Sequence, residues 1–292
     1  RVFLFLLTNI LVMVTISLVL NFLGVGNYLT AYGIDYKALM IFCLVWGMGG
    51  AFISLLMSKV MAKWMMGVKI VNPDSPGQFR EVVEMVRMCS AKAGIPMPEV
   101  GYFESPEVNA FATGPSKKSS LVAVSTGLLN RMDRDEVEAV IGHEVAHIAN
   151  GDMVTLTLIQ GVVNAFVMFL ARVVAFAISS QAKEEHQPMI RFVVTIVLDI
   201  LFSVLGSMVV AWFSRQREFR ADRGGAQYSG KYKMISALKR LQQTYELRDP
   251  ALEQDGLQSM KISGRGSKFL ALLSTHPPLS VRIKALESAQ IM

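Results

Sequence analysis

Residues 133–152 read DRDEVEAVIGHEVAHIANGD, and the rest of the architecture is predicted outward from the helix that they form. Asp133, followed three residues later by Glu136, is a variant of the capping box, in which two side chains bond the free N–H groups of a helix N-terminus. Apolar residues then recur at helical spacing, namely Val137, Val140 and Ile141. The residues that follow, 143–147, are therefore expected to continue the same helix.

The pentapeptide His143-Glu144-Val145-Ala146-His147 places two histidines four residues apart, on one face of that helix. Two imidazoles at this spacing can bind one Zn²⁺, with Glu144 beside the open metal position as the base that activates a bound water. A chance motif on a surface helix is the alternative. However, the chain has only four histidines, and the apolar neighbours of this pair would leave it partly buried without a partner unless a ligand satisfied it. The sequence therefore predicts a catalytic zinc site, which needs a third protein ligand.

The third ligand is expected from another soluble segment, and residues 215–222 read RQREFRAD. Glu218 and Asp222 lie four apart on a predicted helix, so Glu218 could bind the metal while Asp222 accepts the free N–H of a ligating histidine. A surface helix of arginines and carboxylates has the same pattern. Spacing alone leaves the two interpretations equal.

The composition of the 292-residue chain excludes an ordinary soluble domain, because 52% of its residues are hydrophobic, 18% are charged and the mean hydropathy is +0.41. Soluble domains have about 25% charged residues. Apolar runs at about 2–24, 38–57, 153–179 and 190–213 are each long enough to cross a bilayer. They predict transmembrane hairpins in 1–57 and 153–213, with the two halves of a catalytic domain in 58–152 and 214–292.

Basic residues follow the second and fourth runs: Lys59, Lys63 and Lys69 in one place, and Arg215, Arg217, Arg220 and Arg223 in the other. By the positive-inside rule, residues 58–152 and 214–292 and both termini face the cytoplasm. Topology and anionic lipid thereby account for the net charge of +6, so nucleic acid is not expected as a partner.

Two charged residues, Arg172 and Asp199, interrupt the third and fourth apolar runs. Because an isolated charge is costly in a bilayer, one hypothesis is that they pair across the hairpin. An Arg172 side chain that extends to the outer interface is the equal alternative. His186, in the short loop of the hairpin, is given no role.

Short elements are predicted in the rest of the soluble portion: an amphipathic helix at 76–93, strands at Glu99–Phe103 and Leu121–Ser125, a glycine-rich loop at 248–268 that is a candidate lid, and a last helix at 279–289. Pro96 and Pro98 are expected to end the first of these helices. Cys43 lies in an apolar run and Cys89 in a polar segment, so no disulfide is expected.

Four motifs occur in order along the chain: Asn109-Ala110-Phe111-Ala112-Thr113-Gly114, His143-Glu144-Val145-Ala146-His147 with the following Ile148-Ala149-Asn150-Gly151-Asp152, the pair Glu218 and Asp222, and Thr275-His276-Pro277-Pro278. In this combination, together with the four apolar runs, they resemble the HtpX family of bacterial inner-membrane zinc metalloproteases, which are related to the CAAX prenyl proteases. The resemblance implies a mainly α fold, in which four transmembrane helices join a cytoplasmic α+β metalloprotease domain of the gluzincin type with a small sheet. It implies one Zn²⁺ per chain, with Glu218 as the third ligand beside His143 and His147, and with Asp222 orienting a histidine.

The same resemblance implies further site residues. An edge strand that pairs with the substrate backbone is expected at Asn109, Ala110, Phe111, Ala112 and Thr113, although an ordinary strand beside a turn has the same pattern. His276 resembles the histidine that bonds the developing oxyanion, the alternative being a polar residue at a helix start. Arg282 is expected to hold that segment or the substrate carbonyl.

The implied activity is that of a zinc metalloendopeptidase that cleaves misfolded or damaged membrane proteins at the cytoplasmic face of the inner membrane. The expected partners are these substrates, the bilayer and other membrane proteases of quality control. Because the third apolar run begins about six residues after His147, the site is expected near the membrane surface. A processing protease for a defined motif is one alternative, and a non-catalytic scaffold or chaperone with structural zinc is another, in which Glu144 would have no task as a base.

Overall fold

The computed structural model describes residues 29–30, 33–72, 77–248 and 272–290. The predicted apolar run at 2–24 and residues 249–268 of the predicted glycine-rich loop lie outside the described residues. Contacts divide the chain into two compact units. We call residues 1–55 with 155–210 the apolar unit, and residues 56–154 with 211–292 the α+β unit.

The described chain is mainly helical, with a small amount of sheet. In chain order its elements are β1 (Leu29–Thr30), β2 (Gly33–Ile34), α1 (Tyr36–Met65), β3 (Lys69–Ile70), α2 (Gln78–Ala93), β4 (Glu99–Phe103), β5 (Ala110–Ser116), β6 (Ser119–Ser125), α3 (Thr126–Arg131), α4 (Arg134–Asn150), α5 (Asp152–Ser179), a short 3₁₀ helix (Glu184–His186), α6 (Gln187–Ser229), α7 (Lys231–Arg248) and α8 (Leu279–Ser288).

Three of the described helices, α1, α5 and α6, are long and apolar enough to cross a membrane by length and composition, which fits a membrane protein. They contain the second, third and fourth apolar runs of the sequence. Helix α6 continues well beyond its apolar run, to Ser229. Glu218 and Asp222 therefore lie on the same continuous helix as the fourth run.

Small residues line a close contact between α1 and α5 in the apolar unit. A Cβ added to Gly47 would lie 2.5 Å from the backbone nitrogen of Ala165 and 2.8 Å from the backbone oxygen of Gly161. Both distances are below 3.0 Å, which Cβ contacts essentially never show. The two helices can pack this closely only because residue 47 has no side chain.

The charged residues of α5 and α6 form a pair within the apolar unit. Arg172 Nη1 lies 3.7 Å from Asp199 Oδ1. The same guanidinium donates to the backbone oxygen of Met168 and lies 5.6 Å from the centre of the Phe42 ring. These contacts favour the paired arrangement over an Arg172 side chain that extends to the interface.

The α+β unit contains a four-stranded sheet with the order β3-β4-β6-β5. Strands β4 and β6 pair in parallel, from Glu99 opposite Leu121 to Phe103 opposite Ser125, and the other pairs are antiparallel. The two strands predicted from the sequence are thus the central pair. Strand β5 lies at the edge, with β6 as its only strand neighbour among the described residues.

One hydrophobic core joins the sheet to α2, α4, α7 and α8, and it buries the apolar face of α4. Its most deeply buried members include Val82, Val86, Val122, Ile141, Ile148, Leu238 and Leu286. The burial of this face is the main favourable contribution to holding α4 in place. Because α4 carries residues 143–147, the core fixes the position of the predicted metal ligands.

Helix α4 begins as predicted, with a complete capping box. Asp133 Oδ1 accepts the N–H of Glu136 at 2.8 Å, and the Glu136 carboxylate accepts the N–H of Asp133 at 3.2 Å. The predicted end of α2 at residue 93 is confirmed, since the helix ends at Ala93. The residue that stops it is Gly94 rather than Pro96 or Pro98, because its left-handed φ of 65° directs its N–H back to the last helical carbonyls.

Two lysines of α1 hold one carboxylate at the start of β4. Lys59 Nζ and Lys63 Nζ each lie 2.6 Å from an oxygen of Glu99. Their hydrogen bonds lower the pKa of Glu99 below its ordinary value. The last turns of α1 are thereby attached to the sheet of the α+β unit.

Gly47→Ala should destabilise the protein, because the new Cβ would meet backbone atoms rather than a flexible side chain. Overpacking of this kind costs about 1–3 kcal/mol. Gly50→Ala on the same helix is the matched control, since a Cβ there meets nothing within 4 Å and alanine is the better helix former. We expect thermal unfolding in detergent to show a lower midpoint for Gly47→Ala only. Equal midpoints for the two variants would contradict the close contact.

Candidate metal centre

Helix α4 directs two imidazole nitrogens at one point. His143 and His147 lie one turn apart, with their ring planes at 89° to each other and their Nε2 atoms 3.1 Å apart. His143 is 8% exposed, and the side chain of His147 is 14% exposed. Both rings are therefore held largely within the protein, with one nitrogen each facing the same small space.

Helix α6 adds the carboxylate of Glu218 to this space. Glu218 Oε1 lies 3.5 Å from His147 Nε2, and Glu218 Oε2 lies 3.6 Å from His143 Nε2. Two ligands that each bind one Zn²⁺ at about 2.0–2.1 Å in tetrahedral geometry are about 3.4 Å apart. The three observed separations lie close to this value, so the cluster fits a metal site.

The second nitrogen of each histidine faces a buried carboxylate. His143 Nδ1 lies 3.0 Å from Asp222 Oδ1, and His147 Nδ1 lies 2.7 Å from Asp152 Oδ2. A neutral imidazole carries one proton, and an acidic partner keeps that proton on Nδ1. The two Nε2 atoms then present lone pairs to each other at 3.1 Å, an arrangement that repels unless a cation lies between them.

The pKa values of the cluster also favour a positive charge at its centre. Burial lowers the pKa of His147, but hydrogen bonds with Asp152 and Glu218 outweigh this effect and raise it to about 10. The pKa of His143 is raised as well, because hydrogen bonds with Asp222 and Glu218 outweigh its burial. Burial raises the pKa of Glu218, yet its contacts with His143, His147 and His276 hold it well below the ordinary value. The site is therefore built for a carboxylate anion with a proton or a metal ion beside it.

Glycines bring the two ligand helices together. A Cβ added to Gly224 would lie 2.6 Å from the Cβ of Ala146, and one added to Gly225 would lie 2.9 Å from the backbone nitrogen of His143. Any side chain at these positions would move α6 away from α4. The close approach lets the Glu218 carboxylate reach both imidazoles.

Arg282, on α8, contacts the carboxylates of Asp222 and Glu218. Its Nε donates to Asp222 Oδ2 at 2.8 Å, its Nη2 donates to Asp222 Oδ1 at 2.5 Å, and its Nη1 lies 3.3 Å from Glu218 Oε2. The Arg282 side chain is 8% exposed. The guanidinium therefore holds two carboxylates of the cluster, a role different from the two that the sequence resemblance implied, namely holding the His276 segment or the substrate carbonyl.

His276 lies at the open side of the cluster. Its Nδ1 is 3.1 Å from Glu218 Oε2, while its side chain is 66% exposed. The segment that carries it is attached to α6 by Arg215, whose Nη1 donates to the backbone oxygens of Leu272 at 3.1 Å and Ser274 at 2.7 Å. His276 is thus brought to the cluster, and it can also reach a bound molecule from solvent.

The residues predicted for substrate binding lie at the edge of the sheet. Asn109 is exposed just before β5, and its N–H donates to Ser125 Oγ at 3.0 Å. Ala110, Phe111, Ala112 and Thr113 pair with β6 on one side of β5. Phe111 packs against Phe103. The expectation of an edge strand at 109–113 agrees with this position.

Sequence reasoning gave no role to several residues that shape the centre. Asp152 was noted only as part of a motif, Arg215 only as a positive charge, and Gly224 and Gly225 not at all. Adjacent glycines inside a helix were a usable signal, because glycine is unfavourable there unless something approaches closely. Nothing in the spacing of Asp152 pointed to His147, since the turn at Gly151 lies between them.

Residues 76–290 match Peptidase family M48. The chain is 54% identical to a "Protease HtpX homolog" of Bacillus licheniformis and 52% identical to one of Bacillus subtilis, and each alignment covers 99% of both proteins. A protein of the same name from Acidovorax ebreus is 54% identical with the same coverage.

Among solved structures, Ste24p of S. mikatae matches with a TM-score of 0.61 at 15% sequence identity. The match covers 86% of this chain, and this chain spans 58% of the length of Ste24p. At this identity the similarity shows a shared fold alone.

Gly224→Ala should push α6 away from α4, because the new Cβ would collide with the Cβ of Ala146. We expect a lower unfolding midpoint and weaker metal binding, measured by thermal unfolding and by competition with a chelator. Ala146→Gly in the same chain removes the colliding atom and should restore metal binding. Stability should return to within about 1 kcal/mol of the parent, since a glycine is lost from one helix and gained in the other. A double variant as defective as Gly224→Ala would contradict the contact.

Proposed function

The chain belongs to peptidase family M48, and from this premise we propose that it is a zinc-dependent endopeptidase that cleaves misfolded or damaged membrane proteins. The family match, the similarity to HtpX proteases over 99% of the chain and the three apolar helices make it a membrane metallopeptidase. The resemblance expected from the sequence motifs is thereby confirmed. The proposal adds the identity of the metal, the role of each residue, the substrate class and the orientation.

The triangle of His143 Nε2, His147 Nε2 and the Glu218 carboxylate carries the proposal. Two imidazoles and one carboxylate are a ligand set of catalytic zinc, which keeps a fourth position for water. When bound there, zinc would polarise the scissile carbonyl and lower the pKa of its water to about 7. One Zn²⁺ per chain is therefore expected.

Glu144 is assigned the role of general base. Its side chain is half-buried on α4 between the two ligating histidines, and its negative charge contributes to the raised pKa values of His147 and Arg282. A carboxylate at this position can take the proton of the attacking water and pass it to the leaving amine. A structural zinc site would need no such group, which argues against the scaffold alternative.

His276 is assigned to the oxyanion. Its exposed side chain lies at the open side of the cluster, where an N–H can donate to the oxygen of a tetrahedral intermediate. Arg282 and Asp222 are assigned to positioning: Arg282 binds Asp222, and Asp222 faces the Nδ1 of His143.

Strand β5 is assigned to the substrate backbone. An edge strand can add an extended peptide through main-chain hydrogen bonds, which do not depend on the peptide's sequence. The Phe111 side chain contacts Phe103, and Ala110 and Ala112 pack against the core. The backbone of this segment is therefore the part that can bind a substrate peptide. Recognition of this kind suits unfolded chains of varied sequence better than one defined motif.

The connection between α4 and α5 supports membrane substrates. Helix α4 ends at Asn150 and the apolar helix α5 begins at Asp152, so a single residue separates the ligand helix from a candidate span. Residues 143–147 are therefore close in sequence to the bilayer boundary. The basic residues that follow the apolar runs support a cytoplasmic position for this boundary, and the proposal puts the protein in the bacterial inner membrane, where other quality-control proteases would be partners.

Glu144→Gln should abolish cleavage without loss of metal, because the change removes the base and leaves His143, His147 and Glu218 in place. Zinc content and cleavage of a model membrane protein should be measured on the same detergent-purified samples. Glu138→Gln, a matched change on the same helix at a residue that instead binds Lys233, should keep both properties. Equal cleavage by parent and Glu144→Gln would reject the assigned base. A parent that binds zinc but cleaves nothing would favour the scaffold.

A soluble unfolded chain and a protein that ends in one defined motif should be compared as substrates with the membrane protein. Preferential cleavage of membrane proteins of unrelated sequence is the expected result. Cleavage confined to the defined motif would favour the processing protease instead.

His276→Gln should lower kcat by about 10²–10³, the loss measured when an oxyanion donor is removed. Zinc content should stay the same, because Glu218 keeps its contacts with both ligating histidines. Steady-state cleavage of a fluorogenic peptide would separate kcat from KM. A change in KM alone would place His276 in substrate binding instead.

A further inference from the structure

We infer that Asp152 is a second positioning residue of the metal centre, whose carboxylate holds His147 with Nε2 directed at the metal position. The inference rests on the proposed metal role of His143, His147 and Glu218. Asp152 would orient His147 in the same way as Asp222 is proposed to orient His143.

The contact itself is short and shielded from water. Asp152 Oδ2 lies 2.7 Å from His147 Nδ1, and the Asp152 side chain is 2% exposed. For comparison, the contact between His143 Nδ1 and Asp222 Oδ1 is 3.0 Å, with Asp222 also 2% exposed. Each histidine therefore has a carboxylate of similar burial beside its Nδ1, and the contact of His147 has the better hydrogen-bond geometry.

A left-handed glycine at the end of α4 allows Asp152 to contact His147. Gly151 has a φ of 68°, and its N–H donates to the carbonyls of His147 and Ile148. Asp152 then begins α5, so its carboxylate lies in the first turn of a helix, where the helix dipole favours negative charge. This turn places residue 152 beside a ring that lies five positions earlier in the chain.

Helix α6 holds Asp152 through two arginines. Arg217 Nη1 donates to the backbone oxygen of Asp152 at 2.9 Å, and Arg220 Nη2 lies 3.7 Å from Asp152 Oδ1. Asp152 Oδ1 is buried and has no well-directed hydrogen bond within the described part of the chain, so the charge of Arg220 is what balances it there. The helix that supplies Glu218 as a ligand thus also secures the carboxylate behind a second ligand.

This arrangement has two consequences for a metal ligand. The carboxylate keeps the imidazole proton on Nδ1, which leaves the Nε2 lone pair free, and it makes that nitrogen a stronger donor. It also prevents rotation of the ring away from the ligand position. A residue that only began helix α5 would contribute to folding but not to metal affinity, and this difference makes the inference testable.

The test measures zinc affinity by chelator competition on the full-length protein in detergent, for the parent, Asp152→Ala and Asp152→Asn. We expect Asp152→Ala to weaken zinc binding by about 10–100-fold, the loss typical of such partners, and Asp152→Asn to weaken it less, because the amide oxygen can still accept from Nδ1. Asp135→Asn, which removes an exposed carboxylate from α4, is the matched control and should bind zinc like the parent. The absorption spectrum of the Co²⁺-substituted protein should change for Asp152→Ala and not for Asp135→Asn.

Unchanged zinc affinity and an unchanged Co²⁺ spectrum in both Asp152 variants would overturn the inference while leaving the proposed function intact. A parent that binds no zinc would overturn the metal centre and the inference together. If Asp152→Ala does not fold, Asp152→Asn and Arg220→Gln decide, since both keep the start of α5. Reduced zinc affinity at an unchanged unfolding midpoint of the metal-free protein supports the positioning role, and parental affinity in both variants rejects it.

Discussion

Two imidazole nitrogens held 3.1 Å apart with a carboxylate at 3.5–3.6 Å form the interaction on which the rest of the α+β unit depends. Such a cluster is unfavourable without a positive charge between its members, since lone pairs and a buried anion face one another. The fold maintains it by hydrogen bonding, apolar burial and close packing. The capped helix α4 fixes the histidines, the core buries the apolar face of that helix, and the glycines of α6 allow Glu218 to approach.

Each aspartate that contacts a histidine of the cluster also lies beside an arginine. The Asp222 carboxylate is bound by Arg282, and the Asp152 carboxylate lies near Arg220 and is reached through its backbone by Arg217. Arg282 binds both oxygens of Asp222, so Asp222 Oδ1 is shared between Arg282 and His143, whereas Arg220 lies near Asp152 Oδ1 and the other oxygen of Asp152 contacts His147. Because burial alone would make an isolated carboxylate unfavourable, each aspartate needs its arginine in order to act on the imidazole.

Local patterns in the sequence predicted those parts of the structure that local physics determines. The capping residues Asp133 and Glu136 predicted the start of α4, and helical spacing then predicted that His143 and His147 share a face. The end of α2 at residue 93 was also predicted, but the helix is stopped by a left-handed glycine at position 94 rather than by the prolines that follow it.

Contacts between distant segments were harder to predict. Spacing on α6 suggested Glu218 as a ligand but could not separate it from a surface pattern, since the decisive fact is the distance to α4. That distance depends on Gly224 and Gly225, which lie opposite Ala146 and the backbone of His143. The sequence alone does not show that these residues face one another. Asp152 was missed because the left-handed residue Gly151 ends the helical periodicity between His147 and Asp152.

The charge balance also bears on which ion the centre prefers. Arg282 binds Asp222 and also lies 3.3 Å from Glu218 Oε2, while Arg220 lies near Asp152. Imidazole nitrogens favour zinc over calcium or magnesium, which prefer oxygen ligands, so the two histidines agree with the zinc of the proposed function. Glu218 is committed by its contacts with both histidines, whereas Glu144 is half-buried. In the proposed function, Glu218 is therefore the ligand and Glu144 is the carboxylate that moves a proton.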